Sequence, residues 1–259
     1  ALTIPAHVTS VSFGALQNCR SLTELTIPVS DRNLGWYFGA KSSADSDVYL
    51  PLPLKKIVFT GSYIHSSAYE NCTWLEEVIL PDVLSMIGDY AFLDCSSLAS
   101  VVIPDSVTSI GYGAFHGCSS LASVVIPDSV TSIRNGTFSG CSSLESVVIP
   151  DSVTSIGYCA FSGCSSLASV VIPDSVTSIG DYAFLDCSSL ESVVIPDSVT
   201  SIGSSAFQNC SSLESVTFAT PNDWYAGDTA VDSAVLADPA LAADYLRAIA
   251  WNSITLKRR

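Results

Sequence analysis

The sequence predicts a solenoid of stacked coils. A parallel β-sheet forms its open face, short helical or 3₁₀ turns and loops lie opposite, and a small helical cap closes the C-terminal end. Three observations carry this reading. The stretch at 95–117, CSSLASVVIPDSVTSIGYGAFHG, returns almost letter for letter as far as Ser215. Cysteines at 72, 95, 118, 141, 164, 187 and 210 stand 23 residues apart, and a fixed period of that size marks a repeat array. After Phe218 the pattern stops, and Asp238-Pro239 supplies a cap residue followed by proline at a first helical position.

Within one coil, Leu98, Val101 and Ile103 alternate with small or polar residues. That is period-two patterning with β-branched residues, a short strand. Pro104 ends it, because proline has no N–H for a ladder and presets the first corner of a turn. Asp105 and Ser106 suit that turn, since their side chains bond nearby amides. The chain points inward again at Val107 and Ile110, and Gly111 permits a bend. Ala114, Phe115 and Cys118 are spaced for one short helical or 3₁₀ turn. One coil cannot bury these apolar positions alone; stacking buries them between neighbours.

In order along the chain, the segments at 2–4, 25–27, 57–59, 78–80, 101–103, 124–126, 147–149, 170–172, 193–195 and 216–218 read as ten strands, a sheet roughly 45 Å long at the usual spacing. The array is placed at 1–218. Ala1 to Pro5 already stands in the strand register, with no signal segment and no polar cover before it, so a mature form or a fragment with an apolar first coil is expected. Residues 29–53 break the period and carry Trp36, Tyr37 and Phe38 in a row between Gly35 and Gly39. An insertion in an array becomes a loop on one face; the alternative is that these rings pack on the flank of a neighbouring coil. The coil at 54–72 is two residues short, and Arg134-Asn135-Gly136-Thr137 is the one disturbed coil in the regular part. The cap is placed at 219–259, with a helix at about 239–250 whose Leu241, Tyr245, Leu246 and Ile249 share one face. The segment 251–257 is read as a last strand.

The pattern LxxVxIPxxVxxIGxxAFxxC resembles the BspA-like, or Treponema-type, leucine-rich repeats of 23 residues. The resemblance covers about 1–218 and runs nearly unbroken from Leu75 to Phe218. The interruption, Leu34-Gly-Trp-Tyr-Phe-Gly-Ala40, is similar to an insertion common in that family. The resemblance implies a leucine-rich repeat solenoid and a location outside the cell or on its surface. It also implies adhesion to host matrix proteins or to other cells.

Charge excludes some partners. The formal net charge is −15, and between Ile57 and Leu246 twenty-one acidic residues face one basic residue, Arg134, a balance of 1 − 21 = −20. Such a surface repels phosphate backbones and anionic lipid, so neither nucleic acid nor a membrane surface is expected to bind the array. No apolar run approaches the ~20 residues of a membrane span. The basic tail Lys257, Arg258 and Arg259 reads as a solvated end.

Catalytic chemistry is not expected. His7, His65 and His116 have no recurring acidic or nucleophilic partner, and serine occupies every repeat equally. No GxSxG, HExxH or phosphate-binding glycine loop is present. The repeating cysteines read as a buried ladder of small apolar residues. A disulfide between adjacent coils would distort an even stack, and zinc ligands of CxxC spacing are absent. No cofactor is expected. Cys159 stands where other coils carry Gly113, Gly136 or Ser205, an outer position, and is the one thiol expected to react. Three glycosylation sequons begin at Asn71, Asn135 and Asn209; they matter only on a eukaryotic secretory route.

Two columns could bind. The outward strand positions are Thr26, Val58, Ile79, Val102, Val125, Val148, Val171, Val194 and Thr217. They form either an apolar interaction stripe or a stripe of valines chosen only for β-propensity. Asp105, Asp128, Asp151, Asp174 and Asp197 form a carboxylate column that suits calcium or a basic ligand, or that merely supplies turn residues. The favoured function is a non-catalytic, monomeric protein-binding solenoid. It would be a surface or secreted adhesin-type module that engages matrix or cell-surface proteins through the stripe, with Trp36, Tyr37 and Phe38 adding contacts. The alternative is a structural spacer that presents another domain.

Overall fold

A computed structural model describes residues 1–43, 46–249 and 255–258. Each coil has three segments. The first forms the front sheet, where strand segments Leu2–Thr3, Glu24–Ile27, Lys56–Phe59, Glu77–Ile79, Ser123–Val125, Ser146–Val148, Ser192–Ile195 and Ser215–Phe218 stack in parallel. The expected strands at 101–103 and 170–172 join only through single bridges, at Ser100 and Ser169. Register follows the repeat: Ser123 pairs with Ser146, and Ser192 with Ser215. Leu25 instead pairs with Ile57, a step of 57 − 25 = 32, and Ile57 with Val78, a step of 21. The insertion therefore adds nine residues net to one coil, and the next coil is two residues short.

The second segment is a sheet the strand pattern does not reveal. Tyr63–Ile64, Met86–Ile87 and Ser109–Ile110 pair in parallel, as do Ser155–Ile156, Ser178–Ile179 and Ser201–Ile202. Between Ile110 and Ile133 the ladder is broken, and the cause is Arg134. At this position neighbouring coils carry Gly88, Gly111, Gly157, Gly180 and Gly203, whose N–H groups donate to the isoleucine carbonyl one coil back at 2.8–2.9 Å. A Cβ on Gly111 would lie 2.4 Å from Asp89 N, so only glycine allows that approach. Arg134 carries a Cβ that this approach would not admit, and its guanidinium lies over the Tyr112 ring, 5.1 Å from the centroid.

On the third segment the expected short helical or 3₁₀ turn is half of what is found. Alternate amides bond within the coil, as in Cys118 N–H to Phe115 O at 3.2 Å. The others donate to the next coil: Gly113 to Asn135 O, Phe115 to Thr137 O and Gly117 to Ser139 O, at 2.7–2.9 Å. The alternation needs left-handed residues, and Gly113 (φ 55°) and Gly117 (φ 72°) supply them.

The core repeats with the coil. Tyr69, Phe92, Phe115, Phe138, Phe161, Phe184 and Phe207 stack with centroids 5.2–5.6 Å apart. The cysteine column does more than fill space. The thiols of Cys95, Cys118, Cys141, Cys164, Cys187 and Cys210 each donate to a buried carbonyl at 3.1–3.2 Å. That carbonyl belongs to Tyr69 or Phe92, Phe115, Phe138, Phe161 and Phe184, and each also takes the i→i−3 bond. Burial pushes Cys118, Cys164 and Cys210 up to about 12. Serine and threonine hydroxyls form further ladders, such as Ser142 Oγ to Ser119 O at 3.3 Å and Thr177 Oγ1 to Thr154 O at 3.2 Å. This is why serine recurs in every coil.

The insertion is corrected by the structure. Instead of a loop, its first part is a short helix, α1 (Leu34–Phe38), that replaces the turn segment of the second coil. Asn33 caps it, accepting from Gly35 N–H at 2.9 Å and donating to Ser67 and Glu70 carbonyls at 3.0 and 3.1 Å. Gly14 and Leu16 donate to Trp36 and Tyr37 carbonyls from one side, and Leu34 donates to Ala68 from the other. A second helix, α2 (Ser46–Tyr49), follows; Leu50 after it is buried in the core, and Leu52 is exposed.

At the C-terminal end two further helices, α3 (Ser233–Ala237) and α4 (Pro239–Ile249), cover the last coil. Asp238 caps α4, accepting from Ala240 and Leu241 N–H. Ala242, Ala243 and Leu246 are buried and Tyr245 is partly so, whereas Leu241 is exposed, a correction to the expected apolar face. Residues 250–254 lie outside the described residues, but Leu256–Arg258 is a strand antiparallel to Ser201–Ile202 and Trp224–Ala226. The basic tail is therefore not simply solvated. Arg258 Nη1 donates to Asp197 at 2.7 Å, and Thr220 and Arg258 together hold that carboxyl below its usual range.

Candidate functional site

The strand pleat sends alternate side chains to opposite faces. Val101, Val124, Val147, Val170 and Val193 are buried in the array. Their neighbours Val102, Val125, Val148, Val171 and Val194 point out and are 56–82 % exposed. Ile79 extends the stripe at 42 %. Val58 does so only in part: it is half-buried, in register between Thr26 and Ile79. Ser100, Ser123, Ser146, Ser169 and Ser192 are also exposed, two residues earlier on each rung. Near the start of the stripe a shallow depression of about 200 Å³ is lined by Glu77, Ile79, Ser100 and Val102.

The aromatic triplet is not on this surface. Tyr37 and Phe38 are buried and Trp36 is partly buried against the core, with Phe13 edge-on to its ring at 4.6 Å. The Tyr37 hydroxyl donates to Asp31 at 2.9 Å, and burial raises its pKa. Tyr37 and Phe38 are thus removed from the candidate binding residues, because α1 takes the place of a core turn. What the insertion does expose is Val48, Tyr49 and Leu52. With Gln17, Arg20 and Cys19 they line a groove of about 700 Å³ between the insertion and the first coil. Cys19 is exposed on that groove wall and Cys159 is half-buried, so two accessible thiols replace the single one expected.

The six-membered carboxylate column runs from Asp82 through Asp105, Asp128, Asp151, Asp174 and Asp197, all exposed. Among the described residues no group of three or more His, Cys, Asp or Glu is placed to hold a metal ion. Also among them, no helix is long and apolar enough to cross a membrane.

A family model for the BspA type leucine rich repeat region matches in six copies, over residues 1–121, 42–165 and 131–226. The chain belongs to the BspA-type leucine-rich repeat family. Among solved structures, this BspA-type array is similar to a leucine rich repeat protein of T. pallidum. The identity is 36% over 60% of this chain and 72% of that one, with a TM-score of 0.55. A leucine-rich repeat protein from Eubacterium ventriosum shares the fold at 21% identity, covering 80% of this chain and 64% of that one, with a TM-score of 0.58. No curated protein matches the chain.

Proposed function

We propose that this chain is a non-catalytic, monomeric protein-binding solenoid. In this reading it is a surface or secreted adhesin-type module that engages an extracellular matrix or cell-surface protein through the outward face of its front sheet. One observation carries the reading: a row of five valines, each more than half exposed, repeats along the axis while every alternate residue is buried. A contiguous apolar stripe on a soluble surface marks an interaction site. The family supports it as well, since repeat arrays bind along such extended faces.

The test is a pull-down of matrix and cell-surface proteins with the full chain. It is compared with a variant carrying Val125→Lys, Val148→Lys and Val171→Lys, with circular dichroism as the check on folding. Loss of the captured partner in the folded variant is the expected result. Retention of the partner places the site elsewhere. A folded wild-type array that captures nothing favours the spacer reading.

A further inference from the structure

We infer that the element docking on this face is a cationic amphipathic helix, lying along the solenoid axis with its apolar seam on the valines. The inference rests on the proposed role of the face and adds the chemistry of the partner. It starts from the borders of the stripe. Glu145 and Glu191 are exposed three residues before Val148 and Val194 on their rungs. Asp105, Asp128, Asp151 and Asp174 are exposed three residues after Val102, Val125, Val148 and Val171. The apolar floor therefore has a continuous acidic margin after it, while before it Glu145 and Glu191 are interspersed among Ala99, Ala122 and Ala168.

Ion pairs neutralise some carboxylates near both ends of this face. At the N-terminal end Glu76 and Glu77 pair with Lys55 and Lys56 at 2.9 and 3.1 Å, and at the C-terminal end Asp197 pairs with Arg258 at 2.7 Å. Between them Asp82, Asp105, Asp128, Glu145, Asp151, Asp174 and Glu191 have no ion-pair partner among the described residues. A partner that covers the valines and carries basic flanks would supply one.

Spacing selects a helix over an extended chain. Paired strands of the front sheet stand about 4.8 Å apart. A heptad seam has one apolar layer every 3.5 residues, about 5 Å along a helix. Each layer then meets one valine rung. A strand laid the same way repeats its side chains every ~6.6 Å and falls out of step. Laterally, three strand residues place the flanking carboxylates about 10 Å from the stripe. A helix is ~10–12 Å across with its side chains, and lysine or arginine on its flanks reaches outward on an apolar stem. The stretch from Ile79 to Val194 is five steps, about 25 Å, the length of about 17 helical residues.

Three synthetic three-heptad peptides test this against the full chain by fluorescence anisotropy. One has leucine at the seam and lysine on the flanks, a second has glutamate on the flanks, and a third keeps the lysines but scrambles the seam. The expected result is that only the first binds and gains helicity. Neutralising Asp105, Asp128, Asp151 and Asp174 to Asn should weaken it about tenfold or more, as should raised salt. Replacing Val125, Val148 and Val171 by Ser should abolish binding. Equal binding of the glutamate or scrambled peptide overturns the inference, as does no binding of the lysine peptide. If the lysine peptide fails while the captured partner still depends on the valines, the helix inference alone falls. If the valine variants hold both, the reading of the face falls with it.

Discussion

The regular coils from Cys72 onward and the insertion at 29–53 are both rich in apolar residues, yet they distribute them by different rules. In the regular coils a residue's place in the period decides its side. Val147 is buried and Val148, next to it, is 60 % exposed. In the insertion that logic fails. Trp36, Tyr37 and Phe38 look like a presented patch, but Tyr37 and Phe38 are inside and Val48 and Leu52 are outside. The lesson is that composition reports how much must be buried, and only a register reports which residues it is.

The largest effect that would break this comparison is loss of a buried ring. Phe38→Ala and Phe138→Ala should each destabilise by about 3–5 kcal/mol, since both leave cavities in a close-packed core. Equality of the two is the informative outcome, measured by urea unfolding. If Phe38→Ala costs no more than a surface change, α1 is not core and the triplet returns to the candidate surface.

Much of this was legible in the sequence. The period gave the coils, the front rungs and the inward columns of Leu, Val, Ile, Phe and Cys. The shortened coil is read directly from spacing and reappears as the 21-residue step from Ile57 to Val78. The second sheet was not legible, because Ser109–Ile110 is two residues long and too short to show alternation. Arg134 could be seen as a departure, but not its consequence. That depends on how closely Gly111 approaches Asp89, a distance between coils rather than along the chain. For the insertion aromatics the sequence offered both a surface loop and packing on a neighbouring coil, and it could not choose because no repeat supplied their register.

A smaller effect separates the two regions by their thiols. Cys19 borders the insertion groove and Cys159 lies on the outer turn, while the other seven cysteines are buried. Native labelling should modify two thiols and release seven more only on unfolding; modification of a column thiol in the native state would sink the ladder. The column also gives a pH signature. Burial raises the folded thiols from the usual 9.0 to about 12 at Cys118 and Cys164. The folded state therefore holds protons that the unfolded chain has lost. Stability contributed by the column is complete below about pH 9 and declines as pH rises toward 12. Thermal unfolding followed across that range checks it, and Cys141→Ala should make the decline shallower.

The smallest effect expected is on the stripe itself. Val125→Lys, Val148→Lys and Val171→Lys should each change stability by no more than about 0.5 kcal/mol, the usual range for surface positions. Two terms oppose one another. Lysine is less suited to a strand than valine, while the carboxylates three residues on, Asp128, Asp151 and Asp174, with Glu145 before Val148, favour a cation by a few tenths of a kcal/mol. Little apolar burial is lost, because the valine methyls are already in water. Urea midpoints within error of the parent would mean that the valines at these rungs do not hold the fold. β-Propensity alone would then not explain why valine recurs there, and contact with another molecule becomes the better reason. A loss of 2 kcal/mol or more per substitution, on the scale of burying a valine side chain, would mean instead that the front face packs against something within the chain and is not a free surface.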